Sequence, residues 1–126
     1  MSLQHIEFSK LKLNRDNPRC LKKEKRNLLI DSLLSFPAML NARPQVVTAD
    51  LIIIGGNARQ VAIEHIYSLG WSSVRNKIIE LYGKLLQRGH EYEECRINST
   101  LLFWENFFKD KRIPVFVSKS FTNKLS

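Results

Sequence analysis

The chain has 126 residues, 44% of them hydrophobic and 25% charged, with a formal net charge of +8 and a sequence pI of about 9.8. These totals exclude a compositionally disordered chain and favour a single domain, 1–126, with a hydrophobic core. A basic balance of this size favours nucleic acid, a nucleotide or another polyanion as partner, although some basic proteins have no anionic partner. Cys20 and Cys95 form no CxxC pair, and no apolar stretch is long enough for a signal region or a membrane span. The sequence therefore predicts a cytoplasmic protein without a membrane partner.

The N-terminal stretch combines a strand pattern with a dense basic run. Residues 3–13 alternate between apolar and polar side chains, which predicts a first strand with a break near Ser9. Residues 14–19 form a turn, because Pro18 biases the preceding residue away from helix. The basic residues here are Lys10, Lys12, Arg15, Arg19, Lys22, Lys23, Lys25 and Arg26. They are either a solvated helix face, as most charge runs are, or a loop and helix start that contact nucleic acid.

A helix and a hairpin are predicted next. Residues 21–36 form a helix with Leu29, Leu33 and Phe36 on its apolar stripe, and Pro37 ends it. Residues 36–40 then form a short apolar loop. Residues 43–48 and 51–54 are the two strands of a hairpin with a turn at residues 49–50.

The most informative stretch is the strand-to-helix turn after the second hairpin strand. Three isoleucines stop at Gly55 and Gly56, and Asn57 opens helix 57–69 with Arg59 in its first turn. A helix start offers unpaired N–H groups and a positive dipole end, and glycines let the backbone approach a ligand closely, so the turn suits phosphate. The alternative is that Gly-Gly-Asn serves only geometry and capping.

The C-terminal half is helical until a final strand. A third helix starts at Ser72 or Ser73, and a further helix near 99–109 is apolar almost all round, which predicts burial or an interface. Residues 113–117 form a strand, which Pro114 places at a sheet edge or at a strand start. The order of elements predicts an α+β fold with a small mixed sheet and packed helices.

Four short motifs in this order resemble the ParB-like nuclease domain of the ParB/sulfiredoxin superfamily. They are Asp16-Asn-Pro-Arg19 with its following helix, Arg43-Pro-Gln-Val-Val47, Gly55-Gly-Asn-Ala-Arg-Gln-Val-Ala62 and Ile113-Pro-Val-Phe-Val117. The resemblance spans roughly 3–70 and 113–117, which makes 71–112 an extra helical insertion. Gly-Asn-x-Arg at the turn is similar to the phage and mobile-element branch. Partition-type members have Gly-Glu-Arg-Arg there, and sulfiredoxins have a catalytic cysteine where this chain has Asn57.

The resemblance implies a nucleotide or phosphate site, and it also implies a chain that continues beyond residue 126 with a helix. The site residues it implies are Arg19, Arg43, Gly55, Gly56, Asn57, Arg59 and Gln60. Lys10, Lys12, Arg15, Lys22, Lys23 and Arg26 would contact nucleic acid. Arginine forks match phosphate oxygens, so the chemistry of the residues agrees.

Three functions stay open from the sequence. The first is a DNA-binding or nucleotide-binding domain that uses the basic loop and the Gly-Gly-Asn-Ala-Arg turn. The second is a nuclease or a nucleotide hydrolase or phosphotransferase on the same scaffold, with a nucleotide and Mg²⁺ as candidate cofactor and Glu24 as the candidate acid/base residue. The third is a protein-interaction module or homodimer that uses the aromatic helix 99–109. The cluster His90-Glu-Tyr-Glu-Glu-Cys95 lacks a second set of ligands, so no metal site is predicted.

Overall fold

The computed structural model describes residues 2–14, 22–87 and 94–118. The described residues form a four-stranded mixed sheet with helices packed against it, so the predicted α+β fold class is confirmed. The strands are β1 (Ser2–Glu7), β2 (Gln45–Thr48), β3 (Ile53–Gly55) and β4 (Arg112–Ser118). The helices are α1 (Lys23–Ser35), α2 (Ala38–Ala42), α3 (Asn57–Leu69), α4 (Trp71–Gln87) and α5 (Glu94–Asp110), with a 3₁₀ turn at Phe8–Lys10. No helix in the described ranges is long and apolar enough to cross a membrane.

The strand order is β1-β4-β2-β3, with β4 antiparallel to β1 and parallel to β2. The predicted hairpin is confirmed, because β2 and β3 pair in antiparallel fashion with a register shift between Val46 and Val47. Of the two positions that Pro114 indicates, a sheet edge or a strand start, the sheet edge is wrong, since β4 lies between two neighbours. Pro114 is tolerated there because pairing with β2 begins only at Val115, one residue later.

One face of the sheet is covered by the helices. Val47, Ile53, Ile113 and Val115 are fully buried, and they form one core cluster with residues of α1, α3, α4 and α5. The helices at 71–112 contribute large parts of this core, including Tyr82, Trp104 and Phe107. These two helices are therefore packed into the same core as the sheet.

Two sequence predictions around α1 need correction. Phe36 does not lie on the buried stripe, since it is 47% exposed and the buried residues are Ile30, Leu33 and Leu34. The Arg96 guanidinium instead lies over the Phe36 ring, 4.6 Å from the ring centroid. The predicted apolar loop after it is helix α2, which begins directly after Pro37, a residue whose fixed φ suits a helix start.

Candidate functional site

The turn between β3 and α3 contains two glycines, and its geometry requires a glycine only at Gly56. Gly56 has φ +110°, which L side chains rarely adopt, and a Cβ built on it would lie 2.7 Å from Cγ of Gln45. Gly55 has no such constraint, because a Cβ there would meet nothing within 4 Å. The close approach of Gly56 to β2 therefore fixes where α3 begins.

A buried pair of glutamines supports this turn from below. Gln45 Nε2 donates to Gly56 O and to Gln60 Oε1, both at 3.2 Å, and Gln60 Nε2 donates to Phe8 O at 2.8 Å. Gln60 is only 1% exposed. Sequence reasoning grouped Gln60 with the phosphate-contacting residues, but the structure places it under the turn, where it ties α3 to β2 and to the 3₁₀ turn.

An open cleft of about 510 Å³ lies beside the turn. Its volume falls within the range of small-molecule sites, ~300–1,000 Å³. The lining residues come from α1, from the segment between α2 and β2, from β2, from the end of β3 and from the start of α3: Leu29, Arg43, Pro44, Val46, Ile54, Gly55, Gly56, Asn57, Ala58 and Arg59. The cleft thus brings together Arg43, Gly55, Gly56, Asn57 and Arg59, five of the residues that the sequence grouped into one site.

Two arginines give this cleft its electrostatic character. Arg59 Nη1 donates a hydrogen bond to the backbone carbonyl of Arg43, which holds the Arg59 side chain against the segment between α2 and β2. Partial burial, and then the positive charge of Arg43, lower the pKa of Arg59. No carboxylate belongs to the described lining residues, and neither arginine takes part in a salt bridge of the described chain. The cleft therefore holds two like charges without a balancing acid among those residues.

Asn57 connects the turn to the N-terminal segment. Its Oδ1 accepts a hydrogen bond from the backbone N–H of Asn14 at 3.3 Å. Lys12 forms a parallel bridge with Ile52, which places residues 12–14 along the free side of the β2–β3 hairpin. Arg15 and Arg19 follow in a segment that lies outside the described residues.

None of the other predicted nucleic-acid contacts among the described residues lines the cleft. Lys10, Lys12, Lys22 and Lys23 are exposed, while Arg26 is half-buried and its Nε has no hydrogen-bond partner among the described residues. Arg26 precedes the cleft residue Leu29 by about one turn of α1.

The predicted acid/base residue is not part of the cleft. Glu24 is exposed in the first turn of α1 and is absent from the cleft lining. The described ranges contain no group of three or more His, Cys, Asp or Glu side chains that could hold a metal ion. The sequence cluster at 90–95 lies outside the residues whose side chains are described.

Sequence reasoning missed the apolar lining of the cleft. Leu29 is predicted on the apolar stripe of the first helix and Val46 and Ile54 within the hairpin strands, and the structure places all three at the wall beside the arginines. The position of Val46 beside Val47 is the signal that could have identified it as a cleft residue. Successive side chains in a strand point to opposite faces, so when Val47 faces the core, Val46 faces away from it.

Comparisons of this chain with protein-family models, with curated proteins and with solved structures found no match.

Proposed function

We propose that this protein binds a phosphate group of a nucleic acid or a nucleotide in the cleft beside the β3–α3 turn, as a ParB-like nuclease-family domain of the mobile-element type. One observation carries the proposal: Arg43 and Arg59 line the same cleft, at the start of a helix, without an acid among the described lining residues. An anion placed between them would offset the repulsion between the two guanidinium groups, which adds to burial in lowering the pKa of Arg59.

The backbone supports the same ligand class. The first hydrogen bond within α3 runs from Gln60 N to Gly56 O at 3.0 Å, so the N–H groups before Gln60 precede the helical ladder. Such N–H groups, with the helix dipole, favour a phosphate. Gly55 is exposed at the cleft wall with open space where a side chain would stand, so a ligand oxygen can approach the backbone.

The positive net charge of the whole chain also favours a polyanionic ligand. A formal net charge of +8 raises the local concentration of polyanions and accelerates their association with the protein. Exposed lysines at both chain segments that flank residues 15–21, such as Lys12 and Lys22, add to the positive field near the cleft. We therefore expect nucleic acid as the first candidate ligand. A nucleotide is a smaller candidate that offers the same phosphate group.

A thermal-shift panel tests the proposal. It contains inorganic phosphate, pyrophosphate, nucleoside triphosphates with and without Mg²⁺, and a short oligonucleotide, all at matched ionic strength. Binding to the folded state raises the melting temperature, so we expect a rise with phosphate-bearing ligands that Arg43→Gln diminishes. Arg75→Gln is the matched control, because Arg75 is exposed on α4 and does not line the cleft. A panel without any rise, or an equal loss in both variants, would contradict the proposal.

A further inference from the structure

The cleft lined by Arg43 and Arg59, here called the arginine cleft, holds two positive charges near one another. The Arg59 guanidinium is held by its hydrogen bond to the Arg43 carbonyl, and the charge of Arg43 is close enough to act on Arg59. Asp and Glu are absent from the described lining residues. A ligand group with two negative charges therefore balances these arginines, whereas a group with one negative charge leaves a positive charge unbalanced.

Phosphates of nucleic acids and nucleotides differ in the charge that they offer. An internal phosphodiester carries one negative charge and two non-bridging oxygens, because its other oxygens are bonded to sugars. A terminal phosphomonoester carries about −1.5 to −2 charges at pH 7, has a second pKa of about 6 and offers three acceptor oxygens. The terminal group therefore matches two guanidiniums in charge and gives their N–H donors one more oxygen to contact.

The backbone beside the arginines adds donors for such a group. Ala58 and Arg59 line the cleft in the first turn of α3, where backbone N–H groups have no carbonyl acceptor within the helix. Gly55 lines the same cleft and leaves open space where a side chain would stand. The two guanidiniums and the helix start thus supply enough donors for three phosphate oxygens.

The arginine cleft is also larger than a phosphate. Its volume is about 510 Å³, and a phosphate of five heavy atoms fills only a fraction of it, since one water takes about 30 Å³ of liquid volume. The remaining wall is apolar and consists of Leu29, Pro44, Val46 and Ile54. This space suits the sugar and base that carry the phosphate, because small-molecule sites combine apolar walls with a few polar groups.

We propose that the arginine cleft recognises a terminal phosphomonoester, the phosphorylated end of a nucleic acid or the phosphate of a nucleotide, in preference to an internal phosphodiester. This inference rests on the proposed phosphate function and names the class of phosphate that the site takes. A nucleic-acid end and a free nucleotide share this chemistry, and the experiment distinguishes the two sources.

The test uses oligonucleotides of one sequence that differ only at one end. The 5′ end is a hydroxyl, a phosphate or a methyl phosphodiester, which keeps the phosphorus atom but carries one negative charge fewer. A second set has the same three groups at the 3′ end, and the fluorescent label is always at the opposite end. Fluorescence anisotropy at matched ionic strength measures the dissociation constant of each strand for the full chain.

Two arginine variants serve as the test and its matched control. Arg43→Gln removes one charge from the cleft, and it keeps the backbone carbonyl that holds Arg59. Arg43 is exposed, so this variant should fold. Arg75→Gln removes the same charge from an exposed position on α4 that does not line the cleft.

At about pH 7.5, we expect wild type to bind the phosphate end of at least one set about tenfold more tightly than its methyl phosphodiester. This is the effect of one further hydrogen bond to a charged group. Arg43→Gln should remove most of this preference, and Arg75→Gln should retain it. Equal affinity for the two ends in both sets overturns the inference, as does a preference that persists unchanged in Arg43→Gln or that both variants reduce equally.

The pH dependence of the same preference is a second readout. At about pH 5.5 most of the phosphomonoester is a monoanion, so the preference should fall to about threefold. The described lining residues include no group that titrates between these two pH values, so the fall reports the protonation of the ligand. A preference that is equal at both pH values overturns the inference, because the second negative charge would then have no role.

Competition and the hydroxyl-ended strand complete the experiment. Displacement of the phosphorylated strand by a nucleoside 5′-monophosphate supports the inference with a nucleotide as source, and displacement only by an unlabelled phosphorylated strand supports it with a nucleic-acid end. If the hydroxyl-ended strand binds and Arg43→Gln weakens it while a terminal phosphate adds nothing, the phosphate site stands and the preference for an end falls. If no strand responds to Arg43→Gln, the phosphate site itself falls, and this inference falls with it.

Discussion

The two glycines of the β3–α3 turn are adjacent in sequence, yet the structure assigns them opposite sensitivities to alanine. At Gly56, alanine must adopt a positive φ, which costs about 1–2 kcal/mol for an L residue. Its Cβ would also stand 2.7 Å from Gln45 Cγ, so Gln45 must move. That movement strains a hydrogen bond to the turn and one to Gln60, each worth about 0.5–1.5 kcal/mol. We therefore expect Gly56→Ala to lower the free energy of unfolding by about 2–4 kcal/mol.

Gly55→Ala serves as the internal control for that prediction. A Cβ on Gly55 meets nothing within 4 Å and its φ is not in the left-handed region. We expect its free energy of unfolding to stay within about 0.5 kcal/mol of wild type. Urea denaturation followed by circular dichroism measures both variants. A Gly56→Ala protein as stable as wild type, or a Gly55→Ala protein destabilised as much as Gly56→Ala, would refute this account of the turn.

Three further predictions test individual side chains of the described structure. Tyr82→Phe removes the hydroxyl that donates to Ser35 O at 2.6 Å and is paired with Thr100 Oγ1 at 2.9 Å, so urea titration should show a loss of about 1–3 kcal/mol. Gln60→Met leaves buried partners of its amide unpaired and should cost about as much in the same assay, while a fully retained stability would contradict the buried network. Partial burial raises the pKa of Glu64, so its protonated form is favoured in the folded state. Protonated Glu64 therefore adds to the free energy of unfolding at low pH, and this contribution is lost as the pH rises through the pKa of the folded state. Glu64→Gln should be more stable than wild type at neutral pH, and this difference in stability should vanish in acid.

The parts of the fold with local signals were predictable from the sequence. Gly55-Gly56 after an isoleucine run, followed by a helical period, predicts the turn, and α3 begins at Asn57 as expected. The hairpin of β2 and β3 follows from the turn residues between two short apolar runs. Arg43, Gly55, Gly56, Asn57 and Arg59 were grouped by resemblance, and the structure places them around one cleft.

The parts that depend on contacts between distant residues were not predictable. Gln60 follows Arg59 directly, but a helix turns by about 100° per residue, so adjacent side chains face different directions. The partner of Gln60 at the carbonyl of Phe8 is 52 residues away, and nothing in the local sequence indicates it. The central position of β4 was not predictable for the same reason, since Pro114 locally indicates a sheet edge or a strand start, while strand order is set by the whole chain.

The salt dependence of oligonucleotide binding measures the central claim most directly, because its slope counts the phosphates that cations neutralise. Removing one phosphate contact from a single strand should reduce the slope of log K against log salt by about 0.7. We expect this reduction for Arg43→Gln and an unchanged slope for Arg75→Gln. Identical slopes for wild type and Arg43→Gln would show that no phosphate lies at the arginine cleft, and would contradict the account.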